Sequence, residues 1–408
     1  MTYDSDILIV GGGLNGPLLA LAAARSGFSA TVIDAQDATA QRADNFDGRS
    51  YALALTAQRM LAALGLWDRL APAAQPICDI KVSDGRAGEG PAPFFVHFDH
   101  HEIEEGPMGF MVEDRHLRRC LQDALAAEPA ITHLPGETVT AQTTDPACAS
   151  VTLASGRTVT GRLLVGCDGR GSGTARRAGI ARTERDYGQT ALVCAIGHDR
   201  PHHGCAHQFF MPAGPLAILP LTGNRSSIVW SESHAQAAAI SALPDDDYLA
   251  ILRPRFGDFL GEITLAGARF SYPLSLSLAN ALTAPRLALV GDAAHGVHPI
   301  AGQGLNAGFR DIAALTEVLT GAARRGEDIA SPLVLDRYAA WRRVDIATLA
   351  TATDMFNRLF SNDNPILRAT RDLGMGLVNA VPALRRSFIR EAAGLTGDVP
   401  RLMQGKPL

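Results

Sequence analysis

A chain of 408 residues, 47% apolar and 19% charged, is long enough for two or three domains and apolar enough to bury a substantial core. Its net charge of −5 removes any general electrostatic case for nucleic acid as a partner. The six cysteines (Cys78, Cys120, Cys148, Cys167, Cys194, Cys205) form no C-x-x-C pair, so neither a zinc site nor a disulfide framework is expected, and a reducing compartment is the simpler setting.

Asp6-Ile7-Leu8-Ile9-Val10 reads as a short apolar strand, and it starts so early that no secretory leader is expected. Gly11-Gly12-Gly13-Leu14-Asn15-Gly16 fits G-x-G-x-x-G, and Pro17 to Ser26 reads as the helix that follows. Thr31-Val32-Ile33-Asp34 is a second strand ending in an acid, eighteen positions after Gly16. Strand, loop, helix, strand and acid in that order make the dinucleotide-binding fingerprint. Gly11 allows the tight turn, Gly13 lets the backbone approach a pyrophosphate, Gly16 lets helix and strand pack closely, and Asp34 can accept hydrogen bonds from a ribose. A helical segment is expected from Ala57 to Leu70, and 82–107, rich in Gly, Pro and His, reads as irregular. Leu117, Leu121 and Leu125 predict a helix over Arg115 to Ala127. Val151-Thr152-Leu153 and Arg157-Thr158-Val159 flank Ala154-Ser155-Gly156 as a hairpin, and Leu163 to Gly166 reads as another buried strand.

From Thr190 to Tyr272 the pattern is strand-like, notably Phe209 to Leu221 and Ser226 to Ser231, with a helix from Asp246 to Phe256. Leu287 to Val290 is a further apolar strand that delivers Asp292 to its carboxyl end. A glycine-rich loop and a helix through Ala307 to Leu315 follow, an arrangement suited to the hydroxyls and phosphates of a large cofactor. From Leu333 onward the chain reads as mostly helical, and no apolar run reaches the roughly 18–20 residues of a spanning helix. The elements predict an α/β protein, α+β overall. A discontinuous Rossmann-type cofactor domain is expected from 1–80, 98–185 and 275–330, an inserted sheet-rich substrate domain from 81–97 and 186–274, and a helical C-terminal segment over 331–408.

Val165-Gly166-Cys167-Asp168-Gly169-Arg170-Gly171-Ser172 would by itself be a turn after a strand. With G-x-G-x-x-G before it and Gly291-Asp292 after it, the chain resembles, over essentially its whole length, the single-component FAD-dependent aromatic hydroxylases of the para-hydroxybenzoate-hydroxylase-like fold. The stretch Ala294-His295-x-x-His298-Pro299-x-Ala301-Gly302-Gln303-Gly304-Leu305-Asn306-x-Gly308 is similar to their ubiquinone-biosynthesis branch. So are Gly214 to Leu221, Tyr272-Pro273-Leu274 and Phe360-Ser361-Asn362-Asp363. Two departures stand out: Asp34 where that family more often has Glu, and Cys167 where it usually has Ala.

The resemblance implies FAD held without a covalent link, NAD(P)H as reductant and O2 as co-substrate. It implies oxygen transfer from a flavin C4a-hydroperoxide to the ring of a prenylated phenol, a quinone precursor. It places Asp292 on the ribityl or ribose part of FAD, and the backbone N–H groups of Gly302, Gln303, Gly304, Leu305 and Asn306 at the flavin ring and pyrophosphate. Asp168 would fix the loop facing both FAD and the nicotinamide nucleotide. Arg49 would lie along the flavin and its phosphates, or else be a solvated surface arginine. Arg115 would touch FAD at a helix start, with Arg118 as its rival. Pro299 to Gly302 would line the reaction chamber.

The base that favours the phenolate is open among His207, Tyr187 and Tyr272. Phe209, Phe210, Met211, Leu216 and Ile218 are candidates for an apolar wall around a greasy substrate, or equally for ordinary sheet core. His295 and His298 are expected to bond the loop backbone and to bind no metal, because no third ligand set accompanies them. No G-x-S-x-G in a strand–turn–helix context points to a hydrolase.

From Met355 onward eight basic residues face four acids, interleaved with Leu367, Leu373, Leu377, Val378, Leu384, Phe388 and Ile389. These basic helices could lie on an anionic membrane surface or pack on the body of the enzyme. The expected setting is the cytoplasm, with peripheral contact at the inner face of the membrane and a quinone-biosynthesis enzyme complex as a further partner. Rival readings are a hydroxylase of a soluble aromatic, a lipid reductase, a halogenase, or a non-catalytic scaffold that keeps the flavin fold. A halogenase would need a catalytic lysine and a W-x-W-x-I-P motif, whereas Trp230 stands alone and the only lysines are Lys81 and Lys406.

Overall fold

The computed structural model describes residues 3–37, 46–88, 90–297, 302–360 and 376–408. Continuous apolar runs here become a parallel sheet covered on both faces, as such runs require. Ser5–Val10 lies between Thr158–Gly166 and Ala30–Asp34. Leu287–Leu289 extends the sheet on one side and Ile131–Pro135 on the other, all parallel. Ile7, Ile9, Leu163, Val165 and Ala288 face a core closed by the helices Asn15–Arg25 and Gln303–Arg324. Leu8, Leu164, Leu287 and Leu289 face the opposite way, onto Val151 and Val159 of the antiparallel hairpin. The register sets Val10 beside Gly166 and Gly166 beside Leu289. The three motif-bearing turns therefore leave neighbouring strands at the same, carboxyl edge of the sheet, where open α/β sheets bind ligands.

A second, nine-stranded sheet runs in the order His295–Gly296, Phe270–Ala279, Arg182–His198, Arg225–Ser233, Gly214–Leu221, Cys205–Met211, Asp79–Arg86, Gly90–Asp99. Ile263–Leu265 pairs beside Arg182–His198. The helices His234–Ser241 and Asp245–Phe256 cover one of its faces. On the other face Ala195, Ala206 and Leu221 pack against Ile77, Ala52 and Met111, which belong to a small sheet of Ser50–Ala54, Gly109–Glu113 and Gln75–Ile77. This α/β architecture is the Rossmann-type domain with an added substrate sheet that the sequence predicts. Sheet membership crosses the expected domain limits, since Arg182–His198 spans the limit at 185 and His295–Gly296 joins the second sheet.

Several local expectations need correction. The stretch 82–107 is not irregular: Asp79–Arg86 and Gly90–Asp99 form an antiparallel pair at the edge of the nine-stranded sheet. Pro91 and Pro93 are tolerated there because an edge strand need not donate outward. The helix expected over Ala57 to Leu70 is two, Leu55–Ala63 and Trp67–Leu70, parted by Gly65 at φ 73°. The strand-like stretch Phe209 to Leu221 folds as a hairpin. The C-terminal part is helical where described, with Pro332–Phe360 and Pro382–Ala392. Among the described residues no helix is long and apolar enough to cross a membrane.

Candidate functional site

The first glycine loop is tight enough to explain its composition. A Cβ on Gly11, which sits at φ 110°, would lie 2.4 Å from the Cys167 carbonyl oxygen, and one on Gly16 would lie 1.8 Å from that of Gly11. A Cβ on Gly13 would meet nothing within 4 Å, so the loop leaves open space at that position. Asp34, at the end of its strand, accepts the Gly12 N–H on one carboxylate oxygen and the Gln36 N–H, at 2.6 Å, on the other. It is thus held at the loop.

Asp168 accepts from Ser172 Oγ at 2.5 Å and from both the N–H and Oγ1 of Thr174 at 2.9 Å, which fixes the turn after its strand. Arg170 in that turn reaches across to Asp292 Oδ2 at 3.4 Å and to the Val297 carbonyl at 3.4 Å. Arg182 donates to the carbonyls of Asp292, at 3.2 Å, and Ala293. Two arginines therefore hold the Asp292 turn, which the sequence reading did not foresee. Asp292 itself remains partly open, with a side chain 42% exposed.

Gly302, at φ 64°, precedes the helix Gln303–Arg324 and, having no side chain, caps none of its first-turn N–H groups. The positive end of a long helix favours an anion. A Cβ on Gly304 would again meet nothing within 4 Å. Leu305 packs against the main core, and Asn306 contributes a side chain as well as backbone. Its Oδ1 accepts from Ala54 N–H at 2.8 Å, and its Nδ2 donates to Ala52 O at 2.8 Å and Gly302 O at 3.0 Å. Pro299 and His298 lie outside the described residues.

Among the described residues the partner of His295 is a side chain and not the expected loop backbone: its Nε2 donates to Asp311 Oδ2 at 2.6 Å. The same oxygen accepts Gly291 N–H at 2.9 Å, and Asp311 Oδ1 accepts from Arg342 Nε at 2.7 Å. Burial pushes the Asp311 pKa up, but His295 and Arg342 outweigh it, and the carboxyl stays below its ordinary range. A signal for this was present. Gly308, Asp311, Ile312 and Leu315 share one helical stripe, so an acid stood among buried positions.

Arg49 pairs with Asp47 at 2.7 Å and Asp114 at 3.4 Å and lies over the Phe270 ring. Arg115 pairs with Glu113 at 2.8 Å and lies over Phe46, while Arg118 turns to Asp114. His207 is not brought to this edge. It packs 4.5 Å from the Phe259 ring on the helix-covered side, where burial first and Lys81 second push its pKa down to about 4. Phe209, Met211, Leu216 and Ile218 join Trp230 and Tyr248 in the core on that side, whereas Phe210 alternates to the other face with Val96. The first four are thus sheet core beneath the helices.

Open space at Gly13 and Gly304, a long helix that starts at a glycine, and acids at two strand ends suit a dinucleotide with phosphates and hydroxyls. The FAD binding domain family model matches residues 4–353. The ubiquinone hydroxylase UbiL of Rhodospirillum rubrum is 48% identical over 407 residues, covering 99% of this chain and 94% of that protein. The chain belongs to this family of FAD-dependent ubiquinone-biosynthesis hydroxylases. The 3-demethoxyubiquinol 3-hydroxylase of Escherichia coli is 34% identical, covering 96% and 99% of the two chains. The p-nitrophenol 4-monooxygenase PnpA of Pseudomonas putida shares the fold, with a TM-score of 0.79 at 19% identity over 97% and 99% of the chains. The enzyme is thus a flavoprotein aromatic-ring monooxygenase with non-covalent FAD.

Proposed function

We propose that the chain hydroxylates the aromatic ring of a prenylated phenol on the way to ubiquinone, with O2 as co-substrate and NAD(P)H as reductant. The observation that carries this is the near full-length match to a ubiquinone hydroxylase, at 48% identity over 99% of the chain. FAD, when bound and reduced, supplies the activation of O2. The residues divide the remaining work. Gly11, Gly13 and Gly16 admit the pyrophosphate beside the first strand, and Asp34 takes the ribose. Asp292 takes the ribityl chain, and the N–H groups from Gln303 to Asn306 meet the electron-rich edge of the flavin. Asp168 holds the turn between them. Arg49, just before the strand Ser50–Ala54, and Arg115, in the first turn of the helix Asp114–Ala127, flank the cofactor, and Gly302 stands at the chamber wall.

Ala52 lies against Gly302 and packs on the buried cluster of Ala195, Ala206, Met111 and Leu221, a dry layer that keeps water out from beneath the loop. His207 is left out of proton removal because it packs behind the sheet. Finer partners fit the same reading. The helix Pro382–Ala392 packs on the body through Ile389 and through Arg385–Glu102 at 2.6 Å, yet leaves Leu384 and Phe388 each 38% exposed. That outer face contacts the membrane surface from which a prenylated substrate arrives, or another enzyme of quinone biosynthesis.

The test is to delete the gene in its host and identify by mass spectrometry the ring compound that accumulates. A prenylated precursor short of one hydroxyl, with ubiquinone lost, is expected. A normal ubiquinone pool in a strain without a redundant hydroxylase would remove the prenylated-phenol reading. One O2 consumed per product excludes the lipid-reductase alternative.

A further inference from the structure

Asp311 and Arg342 have no part in the reading above, yet their side chains are 0% and 2% exposed. The two oxygens of Asp311 face different parts of the molecule. Oδ2 accepts Gly291 N–H and His295 Nε2–H, both in the turn that carries Asp292. Oδ1 accepts Arg342 Nε–H from the helix Pro332–Phe360, far along the chain. Among the described residues His295 Nδ1 is buried without a partner, and Asp311 is the group that orients the ring by hydrogen bonding there. One turn before Arg342, Tyr338 donates its hydroxyl to the Leu289 carbonyl at 2.8 Å, at the end of the strand that feeds the turn. Arg342 also meets Asp345 at 2.5 Å, Asp345 meets Arg310 Nε at 3.0 Å, and Arg310 donates to the Thr396 carbonyl at 3.0 Å.

We propose that Asp311 and Arg342 are the positioning pair of the flavin turn: the C-terminal helix anchors the Asp311 carboxylate through Arg342, and that carboxylate fixes Gly291, His295 and hence Asp292. The pair acts through the turn and touches no cofactor itself. The inference rests on the assignment of this turn to FAD. A buried ion pair is a poor source of stability, because desolvation offsets most of its attraction. What it supplies here is direction, since one carboxylate oxygen meets two fixed donors of the turn while the other is pinned from outside.

The experiment uses the full-length enzyme and three variants: Asp311→Asn, Arg342→Met, and the double Asp311→Leu/Arg342→Met. Thermal unfolding of the apoprotein, FAD dissociation constants from flavin fluorescence quenching, and the visible spectrum of the bound flavin are measured. Arg342→Met leaves a buried carboxylate without its cation and lowers Tm sharply. The double variant replaces both charges by apolar groups and recovers much of that Tm. Its FAD affinity nevertheless stays at least tenfold weaker, with shifted flavin bands, because the turn has lost its acceptor. Asp311→Asn keeps the shape of the side chain, and it weakens FAD binding by a similar factor with a smaller fall in Tm. Wild-type affinity and spectrum in either the double variant or Asp311→Asn would overturn the proposal. Unmodified protein that takes up no FAD would instead overturn the assignment of the turn to FAD.

Discussion

Gly13 and Gly16 stand three positions apart in one loop, and the structure gives them opposite constraints. A Cβ at Gly16 collides with the backbone of Gly11, while one at Gly13 enters open space. Gly16→Ala is therefore expected to disrupt the strand–helix contact and lower the apoprotein Tm by several degrees. Gly13→Ala is expected to leave that Tm unchanged and weaken FAD binding at least tenfold. Melting curves and FAD titrations of the two apoproteins check both. His207 gives a second prediction at this scale. Burial holds its pKa near 4 in the fold, against about 6.5 in an unfolded chain. A depressed pKa contributes stability that is complete above pH of about 6.5 and is lost as pH falls toward 4. Urea melts across that window should show wild-type stability falling, with His207→Gln flattening the decline. Residues in the glycine turns were legible in the sequence because the steric demand there is local. Asp311 was legible only as an acid on an apolar stripe.

At the scale of elements, what mattered most was which strands and helices meet. The apolar runs at Asp6 to Val10, Leu163 to Gly166 and Leu287 to Val290 were readable as strands, since burial on both faces leaves continuous apolar sequence. The edge pair Asp79–Arg86 and Gly90–Asp99 was not, because an edge strand accepts Gly, Pro and polar residues without penalty. The same limit applies to Phe209, Met211, Leu216 and Ile218. Alternation predicts that they share a face, but two apolar layers were available and only packing against Tyr248 and Phe256 selects one. Asn306 ties the strand Ser50–Ala54 to the start of its own helix through one amide. Asn306→Ala removes the acceptor of the buried Ala54 N–H, at a cost of about 1–3 kcal/mol for that group. Denaturant melts should show the loss, and FAD affinity should fall with it because Gly302 loses its tie to the helix.

At the scale of the whole molecule the C-terminal helix is part of the cofactor domain's support rather than an appendage. Tyr338 and Arg342 are both inside, and Leu402 and Met403 return to the main core. A chain truncated after residue 331 is therefore expected to be insoluble or to melt without a cooperative transition, as circular dichroism would show. The full chain should give a single transition that FAD shifts upward.

The sequence by itself determined the cofactor class and the order of the three turns. A left-handed glycine, a close backbone approach and an acid at a strand end are constraints met within a few neighbouring residues. Only the tertiary structure decided which side chains hold those turns in place. Arg170 reaches Asp292 and Arg342 reaches Asp311 across 122 and 31 positions of chain. Charge and hydrogen bonding act through space, so their partners are fixed by which helices and strands the core brings together, not by spacing along the chain.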